Sequence, residues 1–217
     1  MHIKKHLRLL LMKKNIQQLR KKNGGKSMEV NSQVKVLEDQ IRECYGRLVW
    51  TYTTHQKCVD ILEKKSKIIK ISKIILNSIS ATGLISYIIT NQNWLPMITI
   101  LFTTVALFLD IYTLSYDIDK EINSHIDMIN KLWDIRESYL SLLVDMKINS
   151  IEIKDIKRKR DELQERLNKI YEAGPRTNPK AYKKASVALK INEDMTLHDE
   201  EIDLFLPDSL KRKNKDK

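Results

Sequence analysis

Thirty-six consecutive residues, Ile74 to Leu109, carry no charge in a chain where 31% of residues are charged. Asn91-Gln92-Asn93-Trp94-Leu95-Pro96 interrupts that run near its middle. At 1.5 Å per residue, Ile74 to Thr90 makes a helix of about 25 Å and Leu95 to Ser115 one of about 30 Å, each close to the hydrocarbon thickness of a bilayer. A single helix through the whole run would overshoot any membrane. Asn-Gln-Asn followed by Pro96 is turn chemistry, since it offers side-chain hydrogen bonds and a fixed φ. The spacing therefore predicts two spans joined as a hairpin.

The flanks predict its orientation. Lys64, Lys65, Lys67, Lys70 and Lys73 stand just before the first span, the tip has no Lys or Arg, and Lys120, Lys131 and Arg136 follow the second. Under the positive-inside rule the tip faces out and both termini face the cytoplasm. Trp94, Tyr112 and Tyr116 fall where interfacial aromatics lie. The apolar patch Leu9 to Met12 is too short for the core of a signal peptide.

The formal charge of +11 is local, because the first 26 residues hold nine Lys or Arg and no acid, leaving +2 for the rest. Nucleic-acid binding is therefore not expected from the basic balance alone. Residues 1–27 form a basic leader with two readings. Translation from Met28 is one, since Gly24-Gly25 can be encoded as a ribosome-binding sequence; a basic amphipathic anchor on anionic lipid is the other. Gly25-Lys26-Ser27 is not a phosphate loop, because the required upstream Gly falls on Arg20.

With five Gly and four Pro among 217 residues, long helices are favoured over sheets. The predicted fold is an all-α membrane protein: a transmembrane hairpin over 74–116, whose helices extend into a cytosolic bundle, and a short helical tail. Residues 28–73 read as an amphipathic helix entering the membrane. Val34, Leu37, Ile41, Cys44, Leu48, Tyr52, His55, Val59 and Leu62 mark one face. His55 and Cys58, three apart, read as interior packing or as part of a metal site, although Cys44 is too distant on the same helix to complete four zinc ligands. Over 117–174 the second span is expected to continue as helix, with a stripe at Ile118, Ile122, Ile126, Ile129, Trp133, Leu140 and Leu143. A break follows at Asn149-Ser150, then a stripe at Ile156, Leu163, Leu167 and Ile170, and a stop at Gly174-Pro175. Lys154 and Lys157 to Arg160 form a basic cluster, read as a solvated helix face, with nucleic acid or phospholipid headgroups as the alternatives.

Residues 175–217 are acidic, then basic. Asn178-Pro179 is a cap and first turn for a helix through Leu189, and Thr196 with Asp199 resembles a capping box for a second helix reaching Phe205. Glu193, Asp194, Asp199, Glu200, Asp203 and Phe205 are candidate gating or partner-docking residues, because an acidic tail that keeps apolar residues suits docking better than free solvation.

Cys44-Tyr45-Gly46-Arg47-Leu48, Thr54-His55-Gln56-Lys57-Cys58, the two spans, Pro175-Arg176-Thr177-Asn178-Pro179-Lys180-Ala181-Tyr182 and the stretch from Leu189 to Pro207 resemble the SLATT proteins, most of all the subtype encoded beside reverse transcriptases in bacterial defence operons. The likeness covers roughly residues 40–210, and its C-terminal block is the specific part. It implies a two-span effector, thought to form pores in the inner membrane and to stop phage spread by killing or arresting the infected cell. It also implies a reverse transcriptase or another operon-encoded sensor as partner. It supplies no catalytic residue.

Small polar residues line each span at helical spacing. Ser78, Thr82, Ser86 and Thr90 follow one another on the first, as hairpin-packing or pore candidates. Thr99, Thr103, Asp110, Thr113 and Asp117 follow on the second, as pore-lining candidates together with Ala106 on the same face. Such residues also let membrane helices pack closely, which would explain them without a pore. An acid facing hydrocarbon costs on the order of 2.5–3.5 kcal/mol at mid-span, so Asp110 should face protein or water. In the pore reading several hairpins assemble with the second span inward, Asp110 and Asp117 form acidic rings, and the bundle and tail gate the opening. The alternative is a non-conducting tether that recruits a cytosolic partner. An enzyme is not expected: the five histidines are dispersed, and no nucleophile elbow, phosphate loop or metal-ligand cluster stands out, so no cofactor is indicated. Membrane lipid and further copies of the chain are the expected partners.

Overall fold

The computed structural model describes residues 2–90 and 92–212, with side chains from Ser32 onward, and contains helices and no strand among the described residues. Helix α1 (His2–Thr90) runs unbroken through the amphipathic segment into the first span. From Ser32 to Thr90 it holds no Pro and only Gly46 and Gly83, so nothing in that stretch forces a break. α2 (Leu95–Ser115) starts with Pro96 in its first turn, where the missing N–H costs nothing. A helical hairpin is thus formed, its first arm ending at Thr90 and its second running Leu95–Ser115.

The second span does not continue as one helix. Tyr116 is extended (φ −128°, ψ 96°), and α3 (Ile118–Lys147) begins anew, with the Asp117 carboxylate accepting the Lys120 N–H at 2.8 Å. An Asp that satisfies a free helix-start donor competes with helix continuation, and this local hydrogen bond corrects the expectation of an uninterrupted helix. Asp119 and Glu121 in the first turn then complement the helix dipole. Past the end of α3 at Lys147, Asn149 is left-handed with φ 53°, and Ser150 N–H donates to Asp145 O at 3.0 Å. α4 (Ile153–Ala173) stops at Gly174-Pro175 as expected. α5 (Pro179–Lys190) is capped by Asn178, whose side chain accepts the Ala181 N–H at 2.8 Å. α6 (Asp199–Phe205) is capped two residues later than expected: Thr196 N–H donates to Glu193 O in a turn, and Glu201 accepts the His198 N–H at 2.8 Å.

The chain forms two compact units. The first combines residues up to Arg47 with Ile135–Asn168. Its buried residues are Leu37, Ile41 and Cys44 of α1, Ile135, Tyr139, Leu142 and Met146 of α3, and Ile156, Leu163 and Leu167 of α4. Here the basic cluster is largely tied down: Arg158 bonds Asp155 and Glu162, Lys159 reaches Asp145 at 3.3 Å, and Arg160 bonds Asp161 and, at 2.9 Å, Gln40.

The second unit, Leu48–Asp134 with the chain from Lys169, holds the hairpin and the tail. Leu48, Tyr52, His55, Cys58 and Leu62 of α1 are buried, as their spacing predicts. On α3 the buried line is Ile118, Ile122, His125, Met128 and Leu132, continuing in the first unit. The expected line departs from it beyond Ile122, because Ile126, Trp133 and Leu140 are 38%, 44% and 39% exposed. Two apolar ridges run along α3, and the buried one keeps regular steps of three and four, whereas the other is interrupted by Arg136 and Glu137.

Candidate functional site

The hairpin seam is built from small residues. On α2 Ala106 is buried and Thr99, Asp110 and Thr113 are half-buried; on α1 Lys73, Leu76, Ser80 and Gly83 are half-buried, a repeat of three and four. A Cβ on Gly83 would run into Thr99 Oγ1, so glycine here permits the close approach of the two spans. The α2 side of this seam follows the face marked by Thr99, Ala106, Asp110 and Thr113, whereas its α1 side was missed at the sequence level, although the lone glycine within the spans was its signal.

At the base of the seam the charges pair. Lys73 forms an ion pair with Asp110 and donates to Thr113 Oγ1 at 3.4 Å, while Thr113 Oγ1 donates to Asp110 O at 3.0 Å. One turn toward the bundle, Lys70 donates to both oxygens of Asp119 at 3.1 and 3.3 Å, and Ser66 donates to the same carboxylate at 3.2 Å. The Lys70 ammonium holds the Asp119 carboxyl below its ordinary value. Lys65 donates to Tyr112 Oη at 2.6 Å and lies over the Tyr112 and Tyr116 rings. Cations, tyrosines and carboxylates thus form a polar collar immediately below the apolar spans.

Of the pore-lining candidates, Thr99, Asp110 and Thr113 come together in the seam, Thr103 is exposed on its flank, and Asp117 caps α3. Ser78, Thr82 and Thr90 are exposed on the outer surface of α1, and Ser86 is half-buried. Each of these three hydroxyls, like that of Thr103, donates to the carbonyl four residues back, at 2.7–2.9 Å. The spans remain long and apolar enough to cross a membrane.

In the bundle of the second unit, the segments marked by the family resemblance meet. His55 and His125 are 2% and 1% exposed, with their Nδ1 atoms 2.8 Å apart. Burial, and then the neighbouring His125, lowers the His55 pKa to about 4; burial lowers that of His125 also. Cys58 Sγ accepts from Asn178 Nδ2 at 3.7 Å, and burial raises its thiol pKa. Trp50 packs on Tyr182 with centroids 5.2 Å apart, Lys190 lies over the Trp50 ring, and Lys57 pairs with Asp194 at 3.7 Å. His55 and Cys58 therefore have partners from α3 and from the tail, of which sequence spacing within α1 carries no sign. Among the described residues no group of three or more His, Cys, Asp or Glu is arranged to hold a metal ion.

The tail candidates divide. Asp194 is bound to Lys57, Asp199 pairs with Arg212, Asp203 is buried and accepts the Arg212 N–H at 3.3 Å, and Glu193 contacts His198 at 3.2 Å. Glu200 is exposed, and Phe205 is 81% exposed beside Leu204 at 79%.

An all-helical chain with an apolar hairpin on a charged collar is a two-span membrane protein. It belongs to the SMODS and SLOG-associating 2TM effector domain family 4, whose family profile matches residues 37–201. No curated protein and no solved structure matches the chain.

Proposed function

We propose that this protein is a membrane effector of a bacterial anti-phage system, which self-associates in the inner membrane on a cytosolic signal and permeabilises it. Both termini lie in the cytoplasm, on the side where the lysine collar meets anionic headgroups. The observation that carries the reading is the outer face of the hairpin. Ser78, Thr82, Thr90 and Thr103 point away from the seam, and their hydroxyl oxygens keep lone pairs for water once copies assemble around them. In the single chain the same hydroxyls are satisfied by their own backbone, so a resting hairpin can sit in lipid without cost from unpaired donors. An operon-encoded sensor, with a reverse transcriptase the first to test, supplies the signal through unequal affinity for the closed and open states.

The tether reading keeps one supporting observation. Asp110, Thr99 and Thr113 are engaged within the hairpin, leaving Thr103 and Thr104 as the exposed threonines of the second span. Membrane depolarisation and dye release on induced expression separate the two. The effector reading expects both, and expects them to fall when Ser78, Thr82 and Thr90 are changed together to Leu. An intact membrane potential in cells with a functioning defence operon under phage challenge contradicts it. Asp110→Asn adds a second arm: changed ion selectivity in liposomes would return Asp110 to the conducting path.

A further inference from the structure

Between α1 and the start of α3, at the base of the hairpin, lies an open groove of about 620 Å³. Its walls carry charges of both signs, Lys67 and Lys70 against Glu63 and Asp119, with Ser66 and Asn123 as neutral hydrogen-bonding groups and Ile71 and Ile122 as apolar ones. Lys70 and Asp119 satisfy each other. Lys67 and Glu63 have no ion-pair partner among the described residues, although four residues apart on one helix they could have paired with each other.

The order of these groups along α1 carries the argument. Ile74 opens the apolar span, so Ile71 is the groove residue nearest the hydrocarbon, Lys70 and Lys67 lie next, and Glu63 is deepest on the water side. A phospholipid presents its parts in that same order: acyl chain and glycerol, then phosphate, then, in an ethanolamine lipid, a primary ammonium. The axial rise from Lys67 to Glu63 is about 6 Å, a span suited to a phosphate and an ammonium joined by two carbons. Because the four charges cancel, a purely anionic headgroup gains nothing here over the surrounding lysines. A choline headgroup would want aromatic walls, and the groove has none. We propose that this groove is a headgroup site for a zwitterionic phospholipid with a primary ammonium, its phosphate held by Lys67 and its ammonium by Glu63 and Asn123, while Lys70 stays paired with Asp119. The proposal rests on the hairpin lying in a bilayer, but not on permeabilisation.

The test uses the full-length protein in detergent micelles, titrated with dihexanoyl phosphatidylethanolamine, phosphatidylcholine and phosphatidylglycerol and read by native mass spectrometry. A charge-assisted hydrogen bond from the ammonium contributes enough for about tenfold tighter binding of the ethanolamine lipid than of the choline lipid. Glu63→Gln, at an exposed position, brings that ratio to about one while leaving phosphatidylcholine and phosphatidylglycerol binding in place. Lys67→Met weakens all three. Equal binding of the ethanolamine and choline lipids by the unmodified chain overturns the proposal, as does an unchanged ratio in Glu63→Gln. Competition by free phosphoethanolamine at the concentration of the lipid would reassign the groove to a soluble ligand. Extraction of the chain without detergent would instead remove the membrane reading beneath it.

Discussion

Acidification from pH 7 to pH 5 is expected to destabilise the helical bundle through the His55–His125 pair. An Nδ1-to-Nδ1 distance of 2.8 Å needs one ring as donor and the other as acceptor, so the contact exists only while at least one imidazole is neutral. His55 has a folded pKa of about 4 against an ordinary value of 6.5. Between those values the unfolded chain binds the proton and the folded chain does not. Stability is therefore full above about pH 6.5 and is lost as pH falls toward 4. The whole depression amounts to about 3 kcal/mol, of which about 2 kcal/mol is lost between pH 7 and pH 5. Burial lowers the His125 pKa too, which acts in the same direction. Asp119 and Asp208, whose pKa values are depressed below 3.8, contribute stability that goes only under more acidic conditions and so do not enter this window. The assay is thermal unfolding of the detergent-solubilised chain followed by far-ultraviolet circular dichroism. A loss of about 2 kcal/mol lowers Tm by roughly 4–8 °C in a protein of this size. In the His55→Gln, His125→Gln variant, which can still hydrogen-bond but does not titrate, that drop should vanish. An equal drop in both proteins would refute the reasoning.

Other perturbations separate seam, collar and tail. Gly83→Leu should overpack the seam against Thr99 and destabilise the hairpin by about 1–3 kcal/mol, with Gly83→Ala milder, both read as Tm in detergent. Reversing Lys73 or Asp110 singly should destabilise, and the double reversal should recover about 1 kcal/mol of coupling in a double-mutant cycle; a larger value is not expected, since these side chains are 28% and 44% exposed. Asn178→Ala removes the cap of α5 and should cost about 1 kcal/mol, a Tm shift of roughly 2–4 °C.

The hairpin, the entry of α1 into it and the cap of α5 were legible because each rests on local chemistry: an uncharged run of span length, Pro96 after a polar turn, and Asn178 before Pro179. The helix break at Tyr116-Asp117 was harder to see. Asp117 has two local roles open to it, lumen or cap, and the residue spacing favours neither. The rotation of the buried ridge on α3 was hidden for a different reason. Ile126, Trp133 and Leu140 are as apolar as Met128, Leu132 and Ile135, and packing partners decide which ridge turns inward. Contacts between distant segments, such as His55 with His125 or Cys58 with Asn178, leave no periodic trace. The resemblance in the Thr54–Cys58 and Pro175–Tyr182 segments marked these positions without saying that they touch.

Two crossings of the bilayer underlie every functional statement, and site-directed labelling tests them most directly. Asn93→Cys at the hairpin tip and Ser150→Cys in the α3–α4 turn are each exposed to a membrane-impermeant maleimide in spheroplasts, before and after lysis. Labelling of position 93 in intact spheroplasts, with position 150 labelled only after lysis, is the expected result. Protection of position 93 until lysis would contradict the hairpin's passage through the membrane.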